Sequence, residues 1–101
     1  MQLIEQNIEV IRQLCLQHHV RELSAFGSVT EVEKFSPTSD VDLLVEFGNI
    51  DIEEYPFNFV SILESLEKVL HREVDLLTRN KIRNLVLLKS IERKKIKVFE
   101  A

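Results

Sequence analysis

The tetrapeptide Val-Asp-Leu-Leu occurs twice in this chain of 101 residues, at Val41–Leu44 and again at Val74–Leu77. Around the first copy the alternation runs from Asp40 to Phe47. Val41, Leu43, Val45 and Phe47 fall on one face, and Asp40, Asp42, Leu44 and Glu46 on the other. This is the pattern of a strand with one apolar face. The residues around the two copies do not repeat, so they read as two strands meeting the same packing demand and not as a solenoid. Between them Pro56 is placed to open a helix reaching about Leu70, with Phe59, Ile62, Leu63, Leu66 and Leu70 at helical spacing. If the two strands are neighbours, that helix supplies the standard parallel crossover.

The remaining elements follow from the same periodicities. Ile4, Ile8, Ile11 and Cys15 mark an amphipathic helix from Gln2 to about His18. Val20–Phe26 reads as a short strand ending at Gly27, after which Ser28 can cap a helical turn through Lys34. Phe35–Ser39, with Pro37, is a loop, and Gly48–Glu54 a polar connector. Glu73–Leu77 is the next strand. A helix capped by Asn80 or a neighbour then runs to about Glu92, with Ile82, Leu85, Leu88 and Ile91 turned inward, and Ile96–Phe99 adds a final strand. The order α-β-α-β-α-β-α-β predicts an α/β (α+β) fold, a small mixed sheet of three to four strands flanked by helices. No linker or low-complexity stretch interrupts it, so residues 1–101 are expected to form a single domain.

Apolar residues make up 45% of the chain and charged ones 30%, enough to build a core. The single cysteine, Cys15, excludes an internal disulfide and a cysteine-based zinc site. No apolar run approaches the roughly 20 residues of a membrane span, and Met1–Gln6 has no signal-peptide pattern. A cytoplasmic location is therefore expected. The net charge of -4 gives no general attraction for nucleic acid and argues against RNA or DNA as a partner. Its distribution is uneven: residues 1–78 hold five basic and fifteen acidic side chains, residues 79–101 eight basic and two acidic.

Positions i and i+2 of a strand point the same way, so Asp40 and Asp42 project side by side while Val41 packs inward. Neighbouring carboxylates favour protonation unless a cation lies between them, and hard oxygen ligands suit Mg²⁺. Asp75 repeats the local pattern of Asp42. On an adjacent strand it would bring three carboxylates together, a number suited to two Mg²⁺ ions bridging the attacking and leaving oxygens of an in-line phosphoryl or nucleotidyl transfer. Gly27 is one of only two glycines. With Ser28 it follows a strand and opens a turn, where backbone N–H groups and a hydroxyl can receive phosphates.

Gly27-Ser28, eleven intervening residues, Asp40-Val41-Asp42-Leu43-Leu44 and later Val74-Asp75-Leu76-Leu77 together resemble the minimal nucleotidyltransferase (MNT) antitoxins of the DNA polymerase beta superfamily, which are paired with HEPN toxins. The likeness covers nearly the whole chain. It implies triphosphate binding by Gly27 and Ser28, ligation of both metals by Asp40 and Asp42, and ligation of one metal plus activation of the incoming hydroxyl by Asp75. Mg²⁺ and ATP are the implied cofactor and donor. The implied reaction is transfer of AMP to a hydroxyl, a tyrosine of the HEPN-type toxin, in the manner of a type VII-like antitoxin. Members of the family carry a basic, flexible stretch after Gly-Ser. Here Val29–Lys34 holds Glu31 and Glu33 and no arginine. Lys34 or a basic group of the C-terminal segment is expected to compensate. The altered stretch also motivates an alternative, a nucleotidyltransferase-fold module that neutralises its toxin by occlusion.

Other side chains have plainer readings. Ser39 either bonds backbone near the metal ligands, as part of the nucleotide site, or starts the turn. His18, His19 and His71 are expected at the surface, not as ligands, and Cys15 in the core. Tyr55, Pro56, Phe57 and Phe59 are expected to pack, with docking as the second reading. Lys94, Lys95 and Lys97 are read as a solvated terminus, with contact to a partner or a nucleotide phosphate as the second reading. An enzyme of this size needs its acceptor held for it, which favours a folded partner over a small alcohol. The oligomeric state is open, a homo-oligomer included.

Overall fold

The computed structural model describes residues 1–101. Helices α1 (Gln2–Gln6) and α2 (Ile8–Gln17) precede strand β1 (Val20–Phe26). A 3₁₀ turn at Gly27–Thr30 leads through a loop to β2 (Val41–Phe47), α3 (Tyr55–Leu70) and β3 (Val74–Thr78). A second 3₁₀ turn at Arg79–Lys81 precedes α4 (Leu85–Lys94) and β4 (Ile96–Glu100). The sheet order is β3-β2-β1-β4, with β2 and β3 parallel and the other two pairings antiparallel. This is the mixed four-stranded sheet anticipated from the sequence. The crossover helix makes β2 and β3 neighbours, in the register Val41 to Val74 and Asp42 to Asp75.

The core lies between one sheet face and helices α1, α2 and α3. Leu23, Ala25, Val41, Leu43, Val45, Val74 and Leu76 from the sheet meet Ile4, Ile11, Cys15, Ile62, Leu66 and Leu70 from the helices. Cys15 is fully buried, and burial pushes its thiol up to about 12, so it is an inert filler at neutral pH. Phe47, Tyr55 and Phe59 form an edge-to-face and stacked aromatic cluster, whereas Phe57 is 79% exposed.

The opposite sheet face is not bare. Leu44, placed on the polar face by alternation, is buried, and with Ile91 it forms the apolar remainder outside the main core. The cover is α4, which crosses this face and is tied to it by Arg79–Glu92 and Lys95–Glu22 ion pairs. Alternation alone could not reveal a second layer, because a single apolar residue among carboxylates reads as exposed.

Several boundaries differ from expectation, among them the start of β2, which lies at Val41 and leaves Asp40 ahead of the strand. The first helix breaks at Asn7, whose side chain donates to the Leu3 carbonyl at 2.8 Å and competes with helix continuation. The strand read as Glu73–Leu77 is shifted to Val74–Thr78, since Thr78 still pairs with Val45. The last helix is capped by Asn84, not Asn80: its Oδ1 accepts from the N–H groups of Val86 and Leu87 at 3.0 and 3.1 Å. Consequently only Ile91 of the four residues expected inward is buried, and Leu85 is 67% exposed. Asn84→Ala is expected to cost about 1 kcal/mol of stability, the usual value of an N-cap. Urea titration of the two proteins checks it; an unchanged midpoint would mean that α4 is held by its ion pairs alone.

Candidate active site

One end of the sheet collects the chemistry. It comprises the start of β2 and β3, the end of β1 and the start of β4. Asp42 and Asp75 are register partners on adjacent parallel strands, so their carboxylates leave the same face. Asp40 stands two residues before Asp42, just ahead of β2, close enough for its charge to act on the Asp42 carboxyl. Phe26 pairs with Asp42, which brings Gly27 against the same carboxylate. The sequence-derived trio and Gly27-Ser28 thus share one corner of the molecule.

Gly27 has φ of +72°, in the left-handed region where a side chain is strained. A Cβ there would collide with the Asp42 carboxylate. The glycine is therefore required by its own backbone and by Asp42, a reason more local than the approach of a phosphate. Ser28 sits in the 3₁₀ turn, closed by Thr30 Oγ1 donating to the Gly27 carbonyl at 2.7 Å. The helical turn ends there and does not continue to Lys34.

Asp42 carries the electrostatic cost of this arrangement. Its carboxyl is raised above the ordinary aspartate value, first by burial and then by the charges of Asp75 and Asp40. Asp40 and Asp75 are exposed. No three His, Cys, Asp or Glu side chains stand close enough together to ligate one ion as they lie. The donor set fits Mg²⁺: all ligands are hard oxygens, and a dication would remove the charge penalty that Asp42 bears.

Ser39 hydroxyl is engaged in the loop, accepting from the Ser36 N–H at 3.0 Å. A residue the sequence reading passed over holds this loop. Arg72 donates to the carbonyls of Ser36 and Ser39, both at 2.9 Å, and its guanidinium lies 4.5 Å from the centre of the Phe35 ring. It fixes the segment that delivers Asp40. The only local signal was an arginine directly after the helix, where His71 adopts a left-handed cap with φ of +54°. Of the histidines, His18 caps α2 through the Leu14 carbonyl and reaches Ser61, while His19 and His71 are exposed.

The roomiest hollows lie elsewhere. A cavity of about 570 Å³, lined by Val45, Phe47, Tyr55, Thr78 and Arg79 among others, opens at the far end of β2 and β3.

An in-register pair of aspartates, with a third close by, abuts a glycine turn at one end of the mixed sheet. Residues 8–98 match the nucleotidyltransferase domain family, and the chain belongs to it. Two relatives from Methanocaldococcus jannaschii are named as candidate protein adenylyltransferases. One is 37% identical over 78 residues, covering 75% of this chain and 74% of its own; the other is 41% identical over 73 residues, covering 72% and 74%. Among solved structures, a candidate minimal nucleotidyltransferase superimposes with a TM-score of 0.72 at 25% identity, covering 91% of this chain and 89% of that one. A toxin–antitoxin complex with AMP-PNP gives 0.69 at 18% identity, with coverage of 94% and 74%. A tri-AMPylated Shewanella oneidensis HEPN toxin with its MNT antitoxin gives 0.65 at 17% identity, covering 97% and 73%. These last two establish the fold alone. No helix is long and apolar enough to cross a membrane.

Proposed function

We propose that this chain transfers AMP from ATP to a tyrosine hydroxyl of a HEPN-type toxin in the cytoplasm and so acts as its antitoxin. The observation that carries the reading is the Asp42–Asp75 register pair abutting Gly27 at an open sheet end. The names of the M. jannaschii relatives and the nucleotide and AMPylated toxin in the structural neighbours support it.

In this reading Gly27 and Ser28 receive the triphosphate, Asp40 and Asp42 hold two Mg²⁺ ions, and Asp75 shares one of them. When bound, the metal supplies charge neutralisation at the transferring phosphate and acidifies the acceptor hydroxyl. The acceptor oxygen attacks the α-phosphorus in line, its proton passes to Asp75, and the bond to the bridging oxygen breaks to release pyrophosphate. Ser39 and Arg72 hold the loop that delivers Asp40. The exposure of Asp40 and Asp75 leaves room for a folded acceptor.

The test is incubation with Mg²⁺, α-labelled ATP and the toxin encoded beside this chain. Label on the toxin that requires Mg²⁺ and vanishes when the acceptor tyrosine is replaced is the expected result. A second reading, neutralisation by occlusion, is favoured by the acidic turn, where Lys34 is already paired with Glu31 at 3.6 Å. A tight complex with no label from any nucleotide would establish that reading instead.

A further inference from the structure

Resting on the nucleotide-transfer reading, we infer that Lys94 is the cation that binds the polyphosphate tail of the donor, in place of a basic group in the turn after Gly27-Ser28. The strand order places four chain segments in a row at one sheet end. Asp75 on β3 comes first, then Asp42 on β2, then Gly27-Ser28 after β1, and last the junction of α4 and β4. Ile96 pairs with Ala25, so Lys94 enters two residues before the position opposite the end of β1. A polyphosphate seated on Gly27-Ser28, with its metal-bound end toward the aspartates, would extend toward this junction.

Direction follows from helical phase. In α4, Ile91 is the buried residue and points at the sheet. At about 100° per residue, Glu92 lies on one flank, whereas Lys94 and Ser90 lie on the other, roughly 60° and 100° from Ile91. Glu92 bonds Arg79, and Lys95, past the helix end, bonds Glu22. Arg79 follows the end of β3 and Glu22 sits near the start of β1, both toward the sheet end away from the aspartates. With α3 and α4 on opposite faces and a right-handed β2-α3-β3 crossover, α4 runs diagonally from the far end of β3 to the near end of β4. Its Glu92 flank faces the far end, so the Lys94 flank faces the acidic corner. Arg93 points about 160° from Ile91, into solvent.

Charge pairing leaves Lys94 available. Arg79, Lys95 and Lys97 are committed to Glu92, Glu22 and Glu100, and Lys34 to Glu31. Lys94 makes no such pair, while the polyphosphate would bring several negative charges to a corner that already holds Glu31 and Glu33 nearby. A charge-assisted bond there is worth about ten- to hundredfold in affinity.

Calorimetry with Mg²⁺ and an ATP analogue that cannot be cleaved between the α and β phosphates, and separately with AMP, tests the assignment without relying on turnover. Lys94→Gln should weaken the analogue about tenfold or more and leave AMP within twofold of wild type. Lys94→Arg should restore most of the affinity, and Arg93→Gln should behave as wild type. Equal affinity of wild type and Lys94→Gln for the analogue overturns the assignment while leaving the nucleotide reading intact. So does an equal loss in Arg93→Gln, which would reduce the effect to net charge. A wild-type protein that binds neither ligand overturns both. Thermal melts of each variant separate loss of binding from loss of fold.

Discussion

Asp42→Asn is expected to lower the proposed AMP transfer by about 10³-fold or more while leaving the metal-free protein at least as stable as wild type. In the proposed reaction the first effect is the loss of a metal ligand, comparable to removing a transition-state charge partner from a preorganised site. The second follows from linkage. The Asp42 carboxyl is raised above its unfolded value by burial and by Asp75 and Asp40, so the folded chain binds that proton more readily than the unfolded chain. Stability therefore falls as pH rises from the unfolded value near 3.8 through the raised folded value, and the penalty is fully present at neutral pH. Asparagine removes the charge and with it the penalty. Thermal melts in EDTA should show the Asp42→Asn protein at or above wild type at pH 7, and the gap should close as the pH approaches 4. Added Mg²⁺ should raise the wild-type midpoint and leave that of the variant unmoved. A variant that is active, or that melts well below wild type in EDTA, would show that Asp42 is a structural residue.

Gly27→Ala should fail in both stability and transfer. A side chain at φ of +72° costs about 1–2 kcal/mol. The added Cβ also meets the Asp42 carboxylate, and relief by shifting strand backbone costs about 1–3 kcal/mol more. If Asp42 swings aside instead, the stability loss is limited to the backbone strain and the metal ligand is misplaced. Denaturant titration and the transfer assay together separate these outcomes, and the double variant Gly27→Ala, Asp42→Gly should recover part of the stability without activity. Wild-type behaviour of Gly27→Ala in both assays would mean that the turn opens freely and that the contact with Asp42 carries no weight.

How much of this was legible in the sequence varied with the kind of signal. The strand expected over Asp40–Phe47, observed from Val41, and the helix expected from Pro56 to Leu70, observed from Tyr55, were plain because one side of each is apolar and the other is not. The crossover then made Asp42 and Asp75 neighbours, since a parallel pair with a helix between has little topological choice. Leu44 and α4 were misjudged for one shared reason. Their burial depends on each other across a small second layer: Leu44 stands alone among carboxylates, and the spacing Ile82, Leu85, Leu88, Ile91 runs through the Asn84 cap, so only Ile91 reaches the sheet. Asn84 displaced Asn80 as the cap because both fit the composition of a cap, and only the geometry of the preceding 3₁₀ turn selects between them. Gly27 was found for a partial reason: its value for phosphate approach was visible in Gly-Ser, but its contact with Asp42 required the β1–β2 register. Arg72 left no motif, because what it holds is backbone carbonyl oxygen of Ser36 and Ser39, which any sequence supplies.

The acidic corner and the larger cavity at the opposite strand ends compete as the place where metal and nucleotide sit. Anomalous scattering from crystals grown with Mn²⁺ and a non-hydrolysable ATP analogue distinguishes them directly. Peaks among Asp40, Asp42 and Asp75, with the analogue's phosphates over Gly27 and Ser28, are the expected result. A nucleotide lodged against Tyr55, Thr78 and Arg79 with no peak at the aspartates would contradict it.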